Sequence, residues 1–381
     1  MRRTSIILVI LLLVASALVH AQYFGRNKVQ WEEFDFHVLE TEHFDVYYYP
    51  ERSPAVEDAA RMAERWYERL SGLFDHTFAE RKPIVLYADH ADFQQNTISG
   101  GLIGQGVGGF TESLQNRLVM PLTGSYADTD HVLGHEMVHV FQFDIFQTLA
   151  KAYRRSQLHP LPLWMTEGLA EYLSVGPADA HTAMWLRDAV IRDDLPTMRD
   201  LSRDPRYFPY RWGQAFWAYV GGRWGSREAV KLYVNALVQG IEPAMEEVLG
   251  TSAEDLFTDW HVAIRNAARP VIDRYGAGAD VRPLIGAGEH GVGLNVAPAV
   301  SADGRRLAFL SSRDLFEIDL FVADADTGEV RGKLVSAASD PHFDALRFLD
   351  SAGSWSPGGD RLAFVVFAEG DNRIAIADEA S

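Results

Sequence analysis

His135-Glu136-Met137-Val138-His139 commits the middle of this chain to an α-helix. Two imidazoles four positions apart reach one common point only where the backbone turns once in about 3.6 residues, so that i and i+4 stand one above the other. Val132, Leu133, Met137, Val138, Val140 and Phe141 surround the histidines, which predicts a helix buried on most sides, with Asp128, Thr129 and Asp130 offering N-cap oxygens. Buried His and Glu need compensation, and a metal ion supplies it for the histidines. A second run, Trp164-Met165-Thr166-Glu167-Gly168-Leu169-Ala170-Glu171-Tyr172, is predicted as another apolar helix, opened by Pro162 and carrying two carboxylates one turn apart. Gly168 lets it approach a neighbour closely. Two solvated helix carboxylates are the bland alternative.

The chain has 381 residues, 47% hydrophobic and 23% charged, which is ordinary globular composition for two or three domains. Its net charge of −18 argues against a nucleic-acid partner and leaves peptides or proteins as the expected substrates. No cysteine is present, so disulfides, thiolate metal ligands and cysteine-linked lipid are excluded. Residues 1–21 read as a signal peptide: Met1-Arg2-Arg3, an apolar stretch from Ile6 to Leu18, and Val19-His20-Ala21 before a cleavage that frees Gln22. The alternative is an uncleaved anchor, but the apolar stretch is shorter than the roughly 20 residues that span a bilayer. Export to a periplasmic or extracellular location, or to the cell envelope, is therefore expected.

Residues 22–125 are expected to form an α+β lead-in: a strand at His43–Tyr49, an amphipathic helix from Pro54 to Phe74, a strand at Ile84–Tyr87, an extended segment at Gly106–Thr111 and a strand at Arg117–Met120. Gly104 to Gly109 fits GxGxxG, but no βαβ unit surrounds it, and a flexible rim is expected rather than a dinucleotide site. Residues 126–274 read as helical. His131 shares the face of His135 and His139 and is read as a solvated or capping residue, with an extra ligand as the alternative.

HEMVH followed by WMTEGLAEY resembles the gluzincin metallopeptidases, the thermolysin-like and aminopeptidase-like peptidase MA group, over roughly residues 40–270. Metzincins, by contrast, place a third histidine six residues after the second, where this chain has Ile145, with Gln142 at the intervening position. The resemblance implies one Zn2+ ion held by His135, His139 and Glu167, with Glu136 as general base and Glu171 orienting a ligand histidine. It also implies a zincin fold with a small N-terminal mixed sheet, whose edge strand takes extended substrate, and a helical C-terminal half. Tyr210-Arg211-Trp212-Gly213 is similar to the segment carrying the catalytic tyrosine of aminopeptidase-type gluzincins. Tyr210 is therefore the expected oxyanion donor, with a packed aromatic as the bland reading and Tyr207 as the competing donor.

Residues 275–287 read as a linker, and residues 288–381 change to strands and turns. Pro298 to Leu310 returns as Ser354 to Val365, and Asp319 to Asp324 returns as Arg373 to Asp378. These repeats resemble TolB-like propeller blades, with Ala302 and Gly358 departing from the Ser-Pro-Asp-Gly hallmark. About two incomplete blades are expected, as the front of a longer protein in which the propeller offers a protein partner a broad face. The sequence thus predicts an exported zinc metallopeptidase followed by the start of a propeller. A catalytically inert zincin-like scaffold whose propeller binds protein is the second class of reading.

Overall fold

The computed structural model describes residues 28–49, 53–154, 157–276, 283–286, 294–314, 318–336, 345–347, 349 and 353–378. The expected signal peptide lies outside these residues, as do residues 277–282 and 287 of the expected linker. Among the described residues no helix is long and apolar enough to cross a membrane.

The fold is α+β. Five strands, β1 (His37–Glu40), β2 (Phe44–Tyr48), β3 (Lys82–Tyr87), β4 (Phe110–Glu112) and β5 (Arg117–Pro121), form one sheet in the order β1-β2-β3-β5-β4. The three central strands run parallel and both edges are antiparallel. Alternation sorts the side chains: Phe44, Val46, Ile84, Leu86, Leu118 and Met120 face the helices, while Tyr49, Val85, Tyr87 and Val119 join an aromatic cluster on the other face. Strand β1 was not expected separately. The extended segment expected over Gly106–Thr111 is a strand only from Phe110 to Glu112. The glycines before it bring no side chains to pack, which weakens a strand there.

Helix α1 (Ser53–Phe74) connects β2 to β3 and lies on the inner face, followed by a one-turn α2 (His90–Phe93). Helix α3 (Tyr126–Ala152) carries the HExxH segment. It starts earlier than expected: Ser125, not Asp128, is the N-cap, and its hydroxyl accepts the backbone N–H of Asp128 at 3.1 Å. Gly134 gives α1 room to approach, since a Cβ there would lie 2.5 Å from the Trp66 ring. Trp66 Nε1 also donates to Asp130 at 3.0 Å.

Farther along α3, Asp144 is anchored to the sheet layer by His76, whose Nε2 lies 2.7 Å from its carboxylate, and by Lys82. Burial opposes the charge of Asp144, but its hydrogen bonds to His76 and Lys82 outweigh burial and hold the carboxyl below its usual range. A depressed folded-state value contributes stability that is present above the unfolded value and lost as pH falls through the folded one. Asp144→Ala is expected to lower stability by about 3 kcal/mol at neutral pH. The difference from wild type should shrink in acid, as urea titrations at the two pH values would show.

The other helices are α4 (Leu163–Val175), α5 (Ala180–Arg192), α6 (Met198–Arg203), α7 (Pro209–Trp224), α8 (Ser226–Gln239), α9 (Ile241–Leu249) and α10 (Ala253–Tyr275). Helix α4 begins directly after Pro162 and packs between α3 and α7. Beyond α10, strands β6 (Asn295–Val300), β7 (Arg306–Ser311), β8 (Asp319–Asp324) and β9 (Val330–Val335) make an antiparallel sheet in sequential order. A second sheet holds β10 (Ala345–Leu346), β11 (Ser354–Trp355), β12 (Arg361–Ala368) and β13 (Asp371–Asp378). Both β10 and β11 pair with β12, which also pairs with β13.

The sequence repeat has a physical counterpart. Ser301 Oγ accepts the Arg306 N–H at 3.0 Å, and Ser356 Oγ accepts the Arg361 N–H at 3.1 Å, so the same turn opens β7 and β12. The two sheets share an apolar core including Leu310, Leu320, Leu362 and Phe364, and Trp355 Nε1 donates to the Ala299 carbonyl at 3.0 Å.

Candidate metal centre

Helices α3 and α4 bring His135, His139 and Glu167 to one point. His139 Nε2 lies 3.2 Å from His135 Nε2 and 3.0 Å from Glu167 Oε2, and His135 Nε2 lies 3.3 Å from the same oxygen. A tetrahedral ion with bonds near 2.0–2.1 Å has ligand–ligand edges of about 3.3–3.4 Å, so these donors stand at nearly the spacing one zinc ion needs. They are two nitrogens and one carboxylate oxygen, one fewer than a closed structural site takes.

The surroundings fix the ligand orientations. Gln142 Nε2 donates to the Thr166 carbonyl at 3.1 Å, so its Oε1 is the atom facing His139 Nδ1 at 2.8 Å. A carbonyl oxygen only accepts, which keeps a ring proton of His139 on Nδ1 and leaves Nε2 as the nitrogen that faces Glu167. Burial disfavours a charged His139, yet its hydrogen bond to Glu167 and the charges of Glu167 and Glu136 prevail and push it up to about 9. For Glu167 burial is likewise outweighed: His135 and His139 hold its carboxyl well below the usual carboxylate range.

Glu136 points from α3 toward the sheet, where Thr111 on the edge strand β4 donates its hydroxyl to Oε2 at 2.8 Å. That hydroxyl also lies 3.0 Å from the backbone carbonyl of Glu136, so β4 is tied to the motif helix at this residue. Gly109 makes room for the approach, since a Cβ there would meet Glu136 Cγ at 3.2 Å. Sequence reasoning placed Thr111 in an extended segment but did not pair it with Glu136, and it treated Gln142 only as the absence of a histidine. No local signal in the sequence marks either contact.

Tyr210, at the start of α7, stacks its ring on His135 with centroids 5.6 Å apart and planes 12° apart. Burial first, then the charge of Glu167, pushes its hydroxyl above the ordinary tyrosine range and keeps it a donor. Tyr207 is not brought to this centre: its hydroxyl donates to Asp194 at 2.6 Å, and burial and Asp194 push it up to about 12. Glu171 faces His135 Nδ1 at 3.9 Å, beyond hydrogen-bond length. It is instead held by His131, whose Nε2 lies 3.3 Å from Oε2. His131 is thus neither a cap nor simply solvated.

Comparison with known protein families and with curated proteins finds no match for this chain.

Proposed function

We propose that this chain is an exported zinc-dependent metallopeptidase of the gluzincin type that hydrolyses peptide bonds. The observation that carries the reading is the triangle of His135 Nε2, His139 Nε2 and Glu167 Oε2 with edges of 3.0–3.3 Å, beside a carboxylate that the triangle does not use. Held there by His135, His139 and Glu167, zinc would supply a Lewis acid for the scissile carbonyl and the attacking water. Glu136 takes the proton of that water and passes it to the leaving amine, with Thr111 holding one of its oxygens. Tyr210 donates its hydroxyl to the developing oxyanion. Strand β4, at the edge of the sheet among the described residues, receives an extended substrate through backbone hydrogen bonds. The mixed sheet with an antiparallel edge strand beside the motif helix supports the zincin reading. The paired sheets beyond residue 294, with their repeated turns, support TolB-like propeller blades that present a face to a protein partner.

The test is metal analysis of the purified protein together with cleavage of a peptide library. One tightly held zinc per chain is expected in the protein as purified, removed by a chelator together with hydrolysis and restored with it. Zinc without cleavage of any peptide would sink the enzymatic reading and favour the inert scaffold. Tyr210→Phe is expected to keep the zinc and lower kcat by about 10²–10³-fold; an unchanged kcat would remove Tyr210 from the mechanism.

A further inference from the structure

The two carboxylates of α4 and the three histidines of α3 form a ladder with two rungs. Residues 131, 135 and 139 rise along one helix face, and 167 and 171 run the opposite way along the facing helix. His139 therefore meets Glu167, His131 meets Glu171, and His135 stands between them. Its ring offers Nε2 to Glu167 at 3.3 Å and Nδ1 to Glu171 at 3.9 Å. The ligand atoms of His131, His135 and Glu171 all lie within 4.8 Å of one another, which makes a second trio of two imidazoles and a carboxylate.

We infer that this upper trio is a second divalent-cation site, coupled to the first through the shared ring of His135. The donor set is chemically the same as that of the lower trio, so it takes the same borderline cations, zinc foremost. Buried Glu171 supplies the negative charge, and half-exposed His131 opens the site to solvent. Arg211 stands near enough to oppose a cation, but its guanidinium is paired with Asp179 at 3.2 Å. The upper site is the weaker, because its contacts of 3.3 and 3.9 Å are less even than the lower triangle and its side chains must close around an ion. An ion on Nδ1 also takes the place of the last ring proton when Nε2 already holds zinc, and that proton leaves to solvent. Filling the upper site thus changes His135 as a ligand of the first ion, and excess zinc should slow the enzyme. The inference rests on the metallopeptidase reading for the order of filling, but its donors are independent of it.

The test is titration of metal-free protein with zinc against a chromophoric chelator, repeated with cobalt as a spectroscopic probe. Wild type is expected to bind two ions per chain, the second more weakly. His131→Ala should lose the second ion and keep the first. His139→Ala, which takes a donor from the lower trio alone, should still bind one ion through the upper trio, and the double variant none. Far-UV circular dichroism of each metal-free variant, matching wild type, separates lost donors from lost structure. A wild type that binds a single ion equally well in His131→Ala would overturn the upper site. So would a single ion held about 10–100-fold more weakly in His131→Ala, which would make His131 a positioning partner of Glu171. One ion lost in His131→Ala but kept in His139→Ala would uphold the upper site and overturn the lower trio as the metal centre.

Discussion

Glu136→Gln is expected to leave zinc bound and to lower the rate of peptide hydrolysis by about 10²–10⁴-fold. The amide has the size of the carboxylate and can still accept the Thr111 hydroxyl, so the tie between α3 and β4 survives. What is lost is a group that accepts a proton at neutral pH. The proposed metal ligands are untouched, because His135, His139 and Glu167 make their triangle without Glu136. Measured together, metal content and kcat distinguish a lost base from a lost site. A variant with full zinc and full activity would remove Glu136 from the chemistry, and one without zinc would show that its role is structural.

The second large effect is expected at a contact between two helices rather than at a group that moves a proton. A Cβ at Gly213 would stand 2.0 Å from the carbonyl oxygen of Trp164 and 2.6 Å from the Cα of Gly168, and one at Gly168 would stand 2.3 Å from the Cα of Gly213. These are backbone atoms, so no rotamer change relieves the clash and the helices α4 and α7 must separate. Gly213→Ala is expected to cost about 3 kcal/mol or more, although alanine is the better helix former by about 1 kcal/mol. Glu167 adjoins the contact, so zinc affinity should fall as well. Gly222 lies on the same helix with nothing within 4 Å of an added Cβ, and Gly222→Ala serves as the control, neutral or slightly stabilising. Thermal unfolding of both variants would decide it; equal melting temperatures would mean that the close approach is not needed.

How much of this was legible in the sequence depended on distance along the chain. The positions of His135, His139 and Glu167 on buried helical faces followed from spacing and apolar surroundings, because a helix converts local sequence into a face. The close approach at Gly168 was also readable, but its partner was not: Gly213 belongs to another helix, and nothing in either segment names the other. Thr111 lies 25 residues from Glu136, across a sheet edge and a turn. Gln142 holds His139 only because the amide is pinned by Thr166 of α4. Glu171 was expected beside a metal-binding histidine, and the structure gives it a hydrogen bond to His131 instead. Ser125 took the cap from the acidic residues after it because the turn leaving β5 places its hydroxyl over the first free N–H groups. Helical periodicity is written locally, and the choice between competing neighbours is made in the packed structure.

The glycine contact between α4 and α7 has a thermodynamic consequence. Two of the proposed ligands come from α3 and one from α4, and α4 is seated by Gly213 of α7, so only the assembled layer presents all three donors together. An ion that binds this state and not the unfolded chain stabilises folding by RT ln(1 + [L]/Kd), about 4 kcal/mol at a thousandfold excess over Kd. In a chain without cysteine, no disulfide takes that role. The free metal concentration of its compartment would then tune the stability of the helical layer, and a chelator would lower its melting temperature.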